Sequence, residues 1–188
     1  MNTFIALLRG INVGKAKRVP MAELRELLGA LGYTGVATLL NSGNAVFRAA
    51  KGTPARHAAA IAAAITTSLK VEVPVIVKSA RELDAIVAEN PLAGKAADPS
   101  RLLVAFVQDP KALPGLAAIR PMVVPPERFA IGAHAAYLDC VNGILESKAG
   151  AALLGKAGKL ATTRNWATVL KLQALAGEPP SPPSRRRG

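Results

Sequence analysis

The sequence predicts an α+β fold in which one strand–helix pattern runs twice. Two observations carry that prediction. Short apolar runs of strand type alternate with stretches whose apolar residues recur every three to four positions, as on a helix face. The first half reads strand, helix, strand, strand, helix, strand, the βαββαβ order of a ferredoxin-like (α-β plait) unit. The second half restarts with the same rhythm as a βαββα-type unit with C-terminal helices, and no closing strand is evident. No residue-level repeat accompanies the rhythm. With 188 residues, 51% of them hydrophobic, the chain is long enough for two such units.

The elements follow in order. TFIALLR, residues Thr3–Arg9, is continuously apolar, as a central strand is. Met21, Leu24, Leu27, Leu28 and Leu31 recur at helical spacing, and Gly32 is placed to end that helix. GVATLLNSGNAVFRA reads as two strands joined at Asn41-Ser42-Gly43-Asn44, residue types that tolerate tight turns. Pro54 opens a second helix with Ile61, Ile65 and Leu69 on one face, and VPVIVKS supplies a fourth strand. These elements predict a first unit over residues 1–79. Over residues 80–177 the expectations are a helix at Ala80–Glu89 and a strand at Leu102–Gln108. A weak helix follows near Leu113–Ile119, then strands at Arg128–Ile131 and Ala136–Val141. Helices are expected at Lys148–Leu154 and Arg164–Ala176. Residues 178–188, with the run PPSPPSRRRG, predict a disordered basic tail.

Composition narrows the function classes. Net charge is +12, and each half, 1–90 and 91–177, carries an excess of five positive charges, so the imbalance is not confined to the tail. A basic balance of this kind suits a polyanionic partner. No apolar run approaches the ~20 residues of a membrane helix. One cysteine, Cys140, excludes an internal disulfide and reads as a small buried hydrophobe. His57 and His134 have no metal-ligand spacing with Cys140 or with each other, so no metal and no cofactor are expected. These features predict a cytoplasmic location. A stacking RNA-binding face is not expected, since only Phe4 and Phe47 stand on the central strands of the first unit.

Three stretches carry candidate binding residues. In the first, Arg9, Gly10, Asn12, Gly14 and Lys15 lie between a strand and a helix. Three residues separate the glycines and no Ser or Thr follows the lysine, so the nucleotide-binding P-loop pattern is not met. Glycines can still turn backbone N–H groups toward an anion at a helix start; equally, they can serve only the turn. Asn41, Ser42 and Asn44 form the second stretch, and whether that turn lies beside the first loop stays open. In the third, Thr163, Arg164 and Asn165 are read as the capped, exposed first turn of a helix, where an arginine can hold phosphate. The alternative is a structural cap on a core helix anchored by Trp166.

LLRGINVGKAKRVPMAELRELLGALG, LLNSGNAVF and ATTRNWATVLKLQAL together resemble the bacterial family known as domain of unknown function 1697, in family order over residues 1–177. The resemblance implies two ferredoxin-like units. It implies no activity and no catalytic residues. Members commonly have a glycine where this chain has Lys15, which makes this loop more cationic. The expected function is a basic, phosphate-directed binding module for nucleic acid or a phosphorylated small molecule. The alternative is an enzyme of unrecognised class with a polar pocket lined by Asn and Arg.

Overall fold

The structure is a computed structural model that describes residues 1–14 and 17–177. Lys15 and the tail at 178–188 lie outside the described residues. Eight strands form two antiparallel four-stranded sheets. The first contains β1 (Asn2–Leu8), β2 (Thr34–Leu39), β3 (Asn44–Ala49) and β4 (Val75–Ser79), in the order β2-β3-β1-β4. The second contains β5 (Leu102–Val107), β6 (Arg128–Ile131), β7 (Ala135–Asp139) and β8 (Ala161–Asn165), in the order β6-β7-β5-β8. The two orders are the same, so the rhythm read from the sequence corresponds to a repeated arrangement of strands.

The helices on the first sheet start and stop for local reasons. α1 (Met21–Ala30) begins at Pro20, which offers no side-chain cap. Thr53 caps α2 (Pro54–Leu69) by accepting from the Arg56 N–H, and Lys70 ends it in the left-handed region. α3 (Ala80–Glu89) has a reciprocal capping box between Ser79 and Glu82. In the second half, Pro110–Met122 is a 3₁₀ segment; Pro114 and Pro121 lie inside it and remove the N–H groups that an α-helix would need. α4 (Lys148–Leu154) and α5 (Trp166–Gly177) complete the described chain.

One expectation is overturned here. Residues 161–165 are a strand, not the start of the last helix. β8 pairs with β5, with Arg164 opposite Val104 and Thr162 opposite Phe106. It is the closing strand that the sequence did not reveal. Thr163 and Arg164 therefore do not cap or begin a helix. The cap of α5 is Asn165, whose Oδ1 accepts from the Thr168 N–H at 2.9 Å.

Three apolar cores separate the layers. One lies between the first sheet and α1 and α2. Another lies between the second sheet, the 3₁₀ segment and α4, and it holds Cys140. The third is shared by both sheets. Ile5, Leu7, Val46 and Ile76 face Val104, Phe106 and Tyr137, with α3 and α5 contributing Leu83, Ile86, Trp166, Val169 and Leu172. The Gln108 side chain adds a polar tie. Its amide accepts from the Val77 N–H at 2.9 Å and donates to the Val77 carbonyl at 3.2 Å, standing in for a strand on the edge of β4.

Phe4 and Phe47 point into the first core, where they stack with each other and, together with Tyr33, surround the buried ring of His57. Tyr33 Oη lies 2.8 Å from His57 Nδ1. Burial, and after it the positive charge of Arg56, holds the His57 pKa below its ordinary value.

Candidate anion-binding site at the end of β1

The chain leaves β1 through Arg9–Val19 and enters α1. Gly10, Asn12 and Gly14 all have positive φ, at 64°, 56° and 62°, so the loop turns tightly away from the sheet. Asn12 holds it. Its Nδ2 donates to the Val19 carbonyl and the Asn41 carbonyl, at 2.9 and 2.7 Å, and its Oδ1 accepts from the Val19 N–H at 2.9 Å. The position of the β2–β3 turn is thereby settled: it lies against this loop. Leu8 N–H also donates to the Gly43 carbonyl at 2.8 Å. Gly43 has φ +83°, and a Cβ there would stand 2.6 Å from Leu8 Cβ and 2.8 Å from Ile11 Cδ1. Only glycine allows the turn to sit this close.

Arg164 reaches the same place from β8. On a strand, residues two apart share a face, so Arg164 and Thr162 point from the second sheet toward the first. The guanidinium is buried and every N–H is used. Nε donates to Asn44 Oδ1. Nη1 donates to Thr162 Oγ1 at 3.0 Å and to the Thr163 carbonyl at 2.7 Å. Nη2 donates to the carbonyls of Leu8, Ser42 and Gly43, at 2.7, 3.2 and 3.2 Å. All six acceptors are neutral. Among the described residues Arg164 belongs to no ion pair; Asp139 pairs instead with Arg128. Burial without a counter-charge lowers the Arg164 pKa to about 10.

Arg9 makes the reverse crossing. Its guanidinium donates to the carbonyls of Leu154 and Gly155 at the end of α4, where a cation also meets the negative end of the helix dipole, and to that of Lys159 in the turn that follows. Each half of the chain thus lends an arginine to carbonyl oxygens of the other.

Two cavities open beside the loop. The inner one, about 230 Å³, is lined by Arg9, Gly10, Ser42, Thr162, Thr163 and Arg164 on its polar side and by Leu8, Ile11, Val13, Leu153, Leu154 and Ala161 on its apolar side. The outer one, about 520 Å³, is lined by Asn12, Gly14, Arg18, Asn41 and the first residues of α1, from Pro20 to Ala22. No carboxylate, histidine or cysteine lines either cavity among the described residues.

Of the residues singled out from the sequence, Arg9, Gly10, Ser42, Thr163 and Arg164 therefore meet at the inner cavity, and Asn12, Gly14 and Asn41 at the outer. Asn44 is buried behind them, bonded to Arg164. Asn165 lines neither cavity and is a helix cap. The exposed phosphate-holding role expected for Arg164 is corrected: its donors are spent inside the protein. Thr162 escapes a reading that treats this stretch as a helix cap; strand alternation with Arg164 is the signal that would find it.

Elsewhere, among the described residues, no group of three His, Cys, Asp or Glu is placed to hold a metal ion, and no helix is long and apolar enough to cross a membrane. Cys140 is fully buried, and burial raises its pKa.

The model of the family described as Protein of unknown function (DUF1697) matches residues 1–137, and the chain belongs to that family. The match ends before the third sequence block that resembles it. A solved structure of a conserved bacterial protein from Streptococcus pneumoniae is similar in fold, with a TM-score of 0.74 and 21% identity, covering 93% of this chain and 98% of the other. No curated protein matches the chain.

Proposed function

We propose that this protein is a binding module for a phosphorylated small molecule, with the phosphate held in the outer cavity. The observation that supports this most is the convergence of Arg18, Asn41 and the start of α1 on one concavity with no carboxylate in its wall among the described residues. The first N–H groups of a helix have no partner within the helix and carry partial positive charge. Here no side chain caps them. An arginine beside them adds a planar donor pair suited to phosphate. A concave site of this size favours a small ligand over an extended polyanion. The basic charge then serves attraction as well as contact. Within this reading the two sheets with their helices, residues 1–79 and 80–177, are ferredoxin-like plait units, supported by the shared strand order.

Thermal shift and calorimetry on the full chain test the proposal, with pyrophosphate, inorganic phosphate and a labelled oligonucleotide as probes. Pyrophosphate is expected to bind, and Arg18→Ala to weaken it about 10–100-fold, the loss of one charge-assisted hydrogen bond. Absence of any phosphate-dependent shift sinks the proposal. Oligonucleotide binding that falls linearly with salt on logarithmic axes, without a pyrophosphate effect, replaces it with a nucleic-acid role.

A further inference from the structure

We infer that the inner cavity is a separate site for a small organic monocarboxylate with a short aliphatic body. The inference does not depend on phosphate binding in the outer cavity, since none of the lining residues is shared.

The charge of Arg164 has no carboxylate counter-charge among the described residues. A buried cation is costly unless something compensates it. Here the compensation is partial, from six neutral oxygens, and no carboxylate is in reach among the described residues. The remaining positive potential extends into the cavity that Arg164 lines.

That charge is passed on to hydroxyl groups. Arg164 Nη1 donates to Thr162 Oγ1 at 3.0 Å. Arg164 Nε donates to Asn44 Oδ1, and Asn44 Nδ2 donates to Ser42 Oγ at 2.9 Å. Both chains end on an oxygen that already accepts. Each hydroxyl is thereby left with its own hydrogen to give, and donors in such chains are polarised by the bonds behind them. Thr162 and Ser42 both line the inner cavity, and Thr162 is only 3% exposed. Two polarised O–H donors beside an unpaired positive charge match the two oxygens of one carboxylate.

The same geometry disfavours phosphate. The guanidinium N–H groups of Arg164 are all committed, and those of Arg9 are turned to the carbonyls at the end of α4 and in the turn that follows. No guanidinium fork remains for a dianion. The opposite wall is aliphatic: Ile11, Val13, Leu153 and Leu154 line it, and Val13 and Leu154 are 75% and 50% exposed at its mouth. A short alkyl chain would cover that surface. Exposed large apolar residues beside a charged cavity are otherwise a cost in solubility.

The experiment is a titration of the ¹⁵N-labelled full chain with butyrate, with butyramide as the neutral control. Butyrate is expected to shift the amide signals of Ser42, Gly43, Thr162 and Thr163, and butyramide to bind about tenfold more weakly or less. Thr162→Val is expected to weaken butyrate about 10–100-fold by removing a hydrogen bond to a charged group. Val13→Asp, at an exposed position, places a like charge at the mouth and is expected to weaken it about tenfold, so the test stands if Thr162→Val does not fold. Arg18→Ala, which serves the outer cavity, is expected to leave butyrate binding unchanged. No shifts with butyrate, equal binding of butyramide, or indifference to Val13→Asp in a folded protein each overturns the inference. Loss of pyrophosphate binding alone leaves it standing.

Discussion

Replacing Arg164 by methionine tests the tie between the two sheets most directly. Methionine keeps much of the volume and removes the charge and all donors. Four acceptors from the first sheet lose a partner: the carbonyls of Leu8, Ser42 and Gly43, and Asn44 Oδ1. Hydrogen bonds to a charged group contribute about 1.5–3 kcal/mol each. Summing them would overshoot, because the Gly43 carbonyl keeps the Leu8 N–H and because removing a buried guanidinium recovers several kcal/mol of desolvation. The net expectation is the cost of neutral acceptors left buried without a partner, about 1–3 kcal/mol each, less the recovered desolvation, and comes to about 3–5 kcal/mol. For a chain of this size that is roughly 6–20 °C in melting temperature, at about 2–4 °C per kcal/mol. Urea unfolding followed by circular dichroism gives the free energy, and calorimetry gives the temperature. Arg164→Lys is expected to recover little, because one ammonium cannot span acceptors arranged around a planar fork. A loss below about 1 kcal/mol for Arg164→Met would show that the six bonds contribute nothing beyond what water or a repacked side chain supplies, and the account of the junction would be wrong.

Two further outcomes follow from the same packing. Gly43→Ala places a Cβ within 2.6 Å of Leu8 Cβ at a φ of +83°; backbone strain and overpacking together are expected to cost about 2–5 kcal/mol, read by urea denaturation. His57, held below its ordinary pKa by burial, gives an acid-side slope. Between that lowered value and the unfolded value of about 6.5, the unfolded chain binds the extra proton. Stability is therefore expected to rise with pH through that window and to be lost as pH falls through it toward the lowered folded value. His57→Phe should remove this component of the slope in denaturation curves measured from pH 7 to pH 5, and an unchanged slope would place the titration elsewhere.

Much of the fold was legible in the sequence because its periodicities are clean. The run at Phe4–Leu8, the helical spacing from Met21 to Leu28 and the turn at Asn41–Asn44 each have one local reading, and each is observed. β8 was not legible. Its five residues, Ala-Thr-Thr-Arg-Asn, hold a buried arginine where strand patterning leads one to expect an apolar residue, and threonine is as good a cap as a strand former. Four of the six acceptors that explain the polarity lie 120 to 156 residues away. The candidate site shows the same division. Arg9, Gly10, Asn12 and Gly14 read equally as an anion loop or as a turn alone, and the meeting of Arg9 and Gly10 with Ser42 and Arg164 is a property of the packed sheets. Leu153 and Leu154 carry no local signal that would assign them to a cavity.

The shared middle core has a consequence for dissection of the molecule. A cut after Ser79 would separate the sheets but strip Ile5, Leu7, Val46 and Ile76 from one fragment and Phe106, Trp166 and Val169 from the other. Each fragment would also carry an arginine without its acceptors in the other half. Neither piece would keep its apolar face covered when made by itself, yet the two surfaces remain complementary. Co-expressed, the fragments should find each other and rebuild the junction, which makes this chain a natural scaffold for a split reporter whose reassembly is read at the inner cavity, lined from both halves.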